Sequence, residues 1–303
     1  MSVLLQISDT HFGTEQAPVV EALAALTRQQ RPELIVLSGD ITQRARPAQF
    51  RAARAFVDRL GAPVLAVPGN HDIALLDLWA RLRRPYARYS AAFGAELEPV
   101  HSSPELMVVC VNTTRPWRHK HGEISGPQIE RVAQLLERAE ATQLRVVVVH
   151  QPVAVPRAED LSNRLRGHAA ALERWAAAGA DLIMGGHIHL PFVMPLPGLA
   201  RPLWAVQAGT AVSSRLRMGV PNSVNLLRWG ADSVPGCCRI EQWDFSADKQ
   251  AFLLAKITEV RPASVSKAAM AVRLKAKPVK AKTPSASMTS SAKVRMAPTA
   301  NGQ

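Results

Sequence analysis

VLLQISDTH (residues 3–11), LIVLSGD (34–40), VLAVPGNHD (64–72), RVVVVH (145–150) and LIMGGHIH (182–189) share one grammar. Each is a short run rich in Val, Ile and Leu that ends in Asp, Asn or His. Such runs suit strands buried on both faces, and residues 106–111 add another. Between them lie amphipathic stretches. Residues 18–30 place Val19, Leu23 and Leu26 on one helical face; 47–60 do so with Phe50, Ala53, Val57 and Leu60; 127–139 with Ile129, Val132, Ala133 and Leu136. Each opens with Pro near the first helical position, where its missing N–H costs nothing. Strand–helix alternation of this kind predicts an α/β core. After His189 the pattern changes: 191–194, 203–207, 223–227 and 237–245 read as strands separated by Pro, Gly and Asn turns, with no helical pattern between them. Consecutive strands without crossover helices predict an antiparallel portion that completes the sheets.

A 303-residue chain that is 47% hydrophobic can bury a sizeable core, which excludes wholesale disorder. No apolar run approaches the ~18 residues of a membrane helix, so no membrane insertion is expected. The N-terminal run has no basic start and stops at Asp9, too short for a secretory signal. Cys110, Cys237 and Cys238 form neither a disulfide framework nor a CxxC pair. The expected location is cytoplasmic. The net charge of +13 is unevenly spread: residues 261–303 hold nine of the 37 Lys and Arg and no Asp or Glu, which leaves 28 basic against 24 acidic residues, or +4, in 1–260. The chain therefore divides into a globular unit, 1–260, and a basic, low-complexity tail, 261–303, expected to be disordered. The globular unit lacks the charge excess of a nucleic-acid-binding domain.

The polar residues at the strand ends are the candidate chemistry: Asp9 and His11, Asp40, Asn70 with His71 and Asp72, His150, and His187 with His189. Sites in open α/β sheets form just beyond the carboxyl ends of strands, so these groups can converge. Asp9/His11 and His187/His189 are spaced i, i+2, which aims both side chains the same way if the segment is extended. Gly13, Gly39, Gly69, Gly185 and Gly186 lie beside them, where tight turns or close backbone approach are useful. Taken singly, Asp after Gly reads as a turn and Asn-His-Asp as a cap. Their joint occurrence after successive strands needs another reason, because turn chemistry does not require histidine.

Asp9-Thr10-His11, Gly39-Asp40, Gly69-Asn70-His71-Asp72, His150 and Gly186-His187-Ile188-His189 match, in order, the five motifs of the calcineurin-like metallophosphoesterases. Within that superfamily the chain resembles most the bacterial class III cyclic-nucleotide phosphodiesterase branch. The resemblance implies a four-layer α-β-β-α sandwich of two mixed sheets. It also implies two di- or trivalent metal ions bridged by Asp40, with Asp9, His11 and His189 completing one site and Asn70, His150 and His187 the other. Imidazole and carboxylate donors without thiolate suit Fe, Mn, Zn or Co. The implied reaction is hydrolysis of a small phosphodiester such as 3′,5′-cAMP by in-line attack of a metal-bridging hydroxide. His71 would protonate the leaving group and Asp72 would orient it, with Asn70 and His71 also contacting substrate. Relatives that hydrolyse lipid A precursors usually carry Arg at the position of His71, which counts against that substrate. Arg215, beyond a late strand, is a candidate phosphate contact. Residues 113–122, basic with one Trp, offer a lip that contacts phosphate or stacks a base, although a solvated charged loop explains them more simply. His119 and His121 lie outside the ligand set. Two other functions are carried forward: a nuclease, supported by the basic tail, and a non-catalytic scaffold, disfavoured because no ligand is missing. A homodimer stays open.

Overall fold

In a computed structural model, which describes residues 2–75, 77–230 and 236–263, the chain runs β1 (Ser2–Ile7), α1 (Ala17–Gln30), β2 (Leu34–Ser38), α2 (Pro47–Asp58) and β3 (Val64–Val67). The first of two 3₁₀ segments, Asn70–Asp72, leads to α3 (Leu78–Arg83) and α4 (Ala87–Phe93). Then follow β4 (Val100–Ser102), β5 (Leu106–Cys110), α5 (Gly126–Glu137), β6 (Leu144–Val148), the second 3₁₀ segment (Ala158–Asn163), α6 (His168–Ala178) and β7 (Leu182–Gly185). The remaining strands are β8 (Phe192–Pro195), β9 (Trp204–Gln207), β10 (Ser223–Trp229), β11 (Cys238–Ser246) and β12 (Ala251–Val260). The expected disorder of the tail falls, beyond Ala263, on residues outside those described.

The strands form two six-stranded mixed sheets, in the orders β12-β11-β10-β1-β2-β3 and β4-β5-β6-β7-β9-β8. β1, β2 and β3 run parallel in the first, as do β5, β6, β7 and β9 in the second. The late strands are antiparallel at β8–β9 and through β10–β11–β12, but β9 itself lies parallel to β7. That last pairing departs from the sequence expectation. The chain after β8 turns back beside β7, so the helix-free stretch completes both sheets as expected, with one of its strands in parallel pairing.

Period-two alternation sorts the strand residues between three apolar clusters. Leu4, Leu34 and Val36 meet Val108, Val146, Val148 and Met184 between the sheets. Leu5, Ile7, Ile35 and Leu37 point the other way, against Val19 and Leu23 of α1 and Phe50, Ala53 and Val57 of α2. Val109, Val147 and Ile183 pack under Val132 and Leu136 of α5 and Ala171 and Trp175 of α6. The result is the expected four-layer α-β-β-α sandwich. α5 is capped by Ser125, whose hydroxyl accepts from the Gln128 amide at 3.4 Å while the Gln128 side chain accepts from Ser125 N at 3.1 Å.

Trp175 is fully buried and its indole N–H donates to the Ile129 carbonyl at 3.1 Å, fastening α6 to α5. Trp175→Ala is expected to cost about 3–5 kcal/mol in a urea melt. A loss below about 1 kcal/mol would mean that the two helices are held by something else.

Candidate metal centre

The alternation that builds the core also delivers the site. Along β2 the inward positions are Leu34, Val36 and Ser38, and the next is Asp40; along β6 they are Leu144, Val146 and Val148, and the next is His150. β1 runs Leu4, Gln6, Ser8, and β7 runs Leu182, Met184, Gly186. The seam between the sheets thus changes from apolar to polar at the carboxyl ends of the strands, and the candidate ligands stand where it opens.

The i, i+2 pairs converge by a different route from the extended one expected of them. Asp9, His11, Asp40, His187 and His189 all have positive φ, at 52°, 41°, 48°, 74° and 56°. They make up five of the eight non-glycine residues with positive φ among those described. The left-handed region costs an L-residue roughly 1–2 kcal/mol, and such strain gathers at functional sites. Alternation brings the chain to the pocket, and the tight turns that follow the strands set how these side chains enter it.

The side chains form two groups. Asp9, His11 and His189 have ligand atoms within 4.8 Å of one another, as have Asp40, His150 and His187. His11 Nε2 and His189 Nε2 face each other at 3.2 Å, and His189 Nε2 is 3.3 Å from Asp9 Oδ1. Asn70 Oδ1 lies 3.3 Å from His150 Nε2, joining the second group. Asp40 stands between them, with Oδ1 3.3 Å from His150 Nε2 and Oδ2 3.8 Å from His11 Nε2. A third cluster combines His11, Asp40 and His71, with the His71 ring edge-on to His11 at 4.8 Å.

Ring orientation comes from the backbone. The Nδ1–H groups of His150, His189 and His71 donate to the carbonyls of Ser38 (2.9 Å), Arg215 (2.6 Å) and Gln43 (2.9 Å), leaving Nε2 turned to the centre in each. Burial pushes the His11 and His187 imidazoles down to about 3, so both are neutral and able to ligate at pH 7. Burial also works to raise Asp9, but His189 and its hydrogen bond bring that carboxyl down to about 2. Asp40 is held well below the carboxylate range against its own burial, chiefly by His150 and His71. In return, and again against burial, Asp40 lifts His150 to about 9.

Two glycines are required by contact. A Cβ on Gly69 would run into the backbone nitrogen and Oδ1 of Asp40, and one on Gly186 into Ser8 Oγ and Asp9 Oδ2.

Residues 2–191 match the family described as calcineurin-like phosphoesterase. The chain belongs to that family. A cAMP/cGMP dual specificity phosphodiesterase of Mycobacterium tuberculosis is 31% identical over 204 residues, covering 62% of this chain and 61% of its own. The "Probable cyclic nucleotide phosphodiesterase" of Synechococcus is 28% identical over 200 residues, covering 63% and 74%. In structure, a dimetal phosphatase from Danio rerio superposes with a TM-score of 0.62 at 14% identity, covering 86% of this chain and 99% of that one. The chain thus matches just over three-fifths of the mycobacterial relative's length.

The donor set suits the cations of this phosphoesterase family. His187 buries both ring nitrogens, and His11 buries Nδ1, with no hydrogen-bond partner among the described residues. An unsatisfied buried imidazole is costly unless a metal takes its lone pair. Of the two roles open to Asp72, orienting His71 or closing a turn, the structure shows the turn. Its carboxylate accepts from the amides of Ile41 (3.0 Å), Thr42 (2.8 Å) and Gly69 (2.9 Å) and from Thr42 Oγ1 (2.8 Å), and it makes no hydrogen bond to the His71 ring. It ties the turn after Asp40 to the turn that carries His71. Arg215 is found at His71, with Nη1 3.1 Å from His71 Nε2 and donating to Gln43 Oε1 at 3.0 Å. Residues that sequence reasoning missed are Ser38, Gln43 and Ser8, whose hydroxyl donates to Asp9 Oδ2 at 2.7 Å. Only Ser8, adjacent to Asp9, left a side-chain signal. Ser38 acts on His150 through its carbonyl, and so does Gln43 on His71.

Two outcomes follow from this geometry. Between pH 6.5 and 3 the unfolded chain protonates His11 and His187 while the folded chain resists, so stability falls as pH falls. Metal-stripped protein should show a Tm that drops through that window, and His187→Leu should flatten the drop. Gly69→Ala should lower bound metal, read by elemental analysis, while far-UV circular dichroism stays unchanged; full metal content in that variant would contradict the crowding at Asp40.

Proposed function

We propose that the protein is a dinuclear metal-dependent phosphodiesterase of small nucleotides, with 3′,5′-cyclic AMP as the first candidate. The observation that carries the reading is the Asp40 carboxylate, with one oxygen toward His150 and the other toward His11. Asp9, His11 and His189 would hold one cation, Asn70, His150 and His187 the other, and Asp40 both; iron, manganese and zinc suit these donors. Bound there, two such cations supply Lewis acidity to a phosphoryl oxygen and lower the pKa of water. The side chains around them supply the rest. The Gln43 carbonyl takes the His71 Nδ1–H, so Nε2 is the atom that would bear the ring's second proton and, once turned from the Arg215 N–H, pass it to the leaving oxygen. Arg215, beside it, offers its guanidinium to the phosphoryl oxygens. The names of the mycobacterial and cyanobacterial relatives support cyclic nucleotides as the substrate class. Residues 1–260, ending with β12, form the catalytic unit in this reading, with the tail dispensable.

The test is a substrate panel on manganese-loaded protein: bis-p-nitrophenyl phosphate, 3′,5′- and 2′,3′-cyclic nucleotides, phosphomonoesters and single-stranded DNA. Cyclic nucleotides should be the best substrates, and turnover of neither them nor the synthetic diester would end the proposal. Preferred cleavage of DNA, lost when the chain is cut after Ala263, would make the protein a nuclease instead. His71→Ala should lower kcat by about 10²–10⁴-fold with metal content intact, whereas a fall in bound metal would assign His71 to the ligands.

A further inference from the structure

α3 is built inside out. Leu78, Trp79 and Leu82 of its LWARLR sequence are 67%, 67% and 73% exposed, while Arg81 is only 8% exposed. A water-facing helix does the reverse. Arg81 donates to the carbonyls of Ala74 (3.2 Å) and Arg118 (2.9 Å) and has no carboxylate partner among the described residues. It fastens α3 to the 115–121 loop, where Trp117 is 70% exposed. This face lies beside the turn that carries His71. Trp79 and Asp72 line one cavity of about 200 Å³, and His119 is near enough to His71 and Arg81 for their charges to act on it.

The charge around these apolar tips is one-sided. Arg44, Arg83, Arg84 and Lys120 are exposed and carry no ion pair among the described residues. The nearby acids are already engaged, Asp77 with Arg88 at 2.7 Å and Glu123 with Arg118 at 2.6 Å. A soluble anion would answer the cations and leave the Leu and Trp side chains unexplained. Four apolar tips on two short segments also fall short of the roughly 800 Å² per partner of a standard protein interface. Trp and Leu flanked by unpaired Arg and Lys match the boundary between lipid headgroups and acyl chains.

The geometry points to an interfacial docking face: Leu78, Trp79, Leu82 and Trp117 enter the surface of an anionic lipid membrane, and Arg44, Arg83, Arg84 and Lys120 meet its phosphates. This inference goes beyond the phosphodiesterase reading and does not depend on which diester is cleaved.

The experiment is vesicle flotation of the full chain with phosphatidylcholine alone and with added phosphatidylglycerol, at about 0.1 M and about 0.5 M salt. High salt screens the basic tail, so binding that survives it reports apolar insertion. The protein should float with the anionic vesicles at both salts. The triple variant Leu78→Ser/Trp79→Ser/Leu82→Ser, altered only at side chains two-thirds exposed, should bind at least about tenfold more weakly at high salt. Its kinetics on soluble bis-p-nitrophenyl phosphate should be unchanged, which keeps this outcome separate from failure of the catalytic reading. Equal flotation of variant and wild type, or no flotation of wild type at high salt, would overturn the proposal. So would a wild-type dimer in light scattering that the variant loses, since the face would then serve a second copy.

Discussion

A carboxylate buried between imidazoles is the constraint from which the site takes its shape. Asp40 faces His150 with one oxygen and His11 with the other, and its neighbour across the pocket, Asp9, is buried as completely. Two such charges are tolerable inside a protein only if matched by positive charge at the same depth. In the metal-free state the match is made by protons, which is why His150 is lifted to about 9 and His189 is raised as well. Cations take over that role by displacing the protons, so metal binding and proton release are one event.

The two sheets meet at this pocket, and their seam is graded to suit it. Below, Leu4, Val36, Val146 and Met184 form a dry interior. One step higher, Gln6 donates to the Gly185 carbonyl at 2.9 Å, and Asn225 donates to Gln6 Oε1 at 3.0 Å and to the Gln207 carbonyl at 3.1 Å. These amides join β1 and β10 of one sheet to β7 and β9 of the other with their hydrogen bonds satisfied, as buried polar groups require. The polar floor lets charged ligands follow directly above an apolar core without an uncompensated layer between them.

How much of this was legible follows from contrast. The parallel strands announce themselves because both faces are buried, giving unbroken Val, Ile and Leu. α1, α2 and α5 announce themselves through a Pro start and a clear apolar stripe. α6 does not: HAAALERWAAA is mostly Ala, so the buried face around Ala171 and Trp175 barely differs from the exposed one. α3 inverts the pattern by burying Arg81, and β12 exposes Leu253, Leu254 and Ile257 along a sheet edge, with a bulge opposite it at Gln242 and Trp243. In the site, the ligand candidates were visible because each is a polar residue closing an apolar run. The left-handed turns that aim them were not, since Asp and His at positive φ look the same in sequence as Asp and His in a strand.

The parts of the site that sequence does not encode as side chains are also the parts least sensitive to side-chain change. Three rings are oriented by backbone carbonyls, at Ser38, Gln43 and Arg215, and a carbonyl survives substitution of the residue that bears it. What must persist is the path of the chain. Asp72 secures part of that path by gripping the Ile41 and Thr42 amides next to Asp40. Arg217 secures another, its ion pair with buried Asp160 at 2.9 Å holding the segment whose Arg215 carbonyl meets His189. The imidazoles are therefore set by turns, and the turns by a few buried charges that never reach the metal positions. A change at Asp72 or Asp160 would act on the centre through the rings it leaves unsupported, in contrast to a change at Asp40, which removes the donor itself.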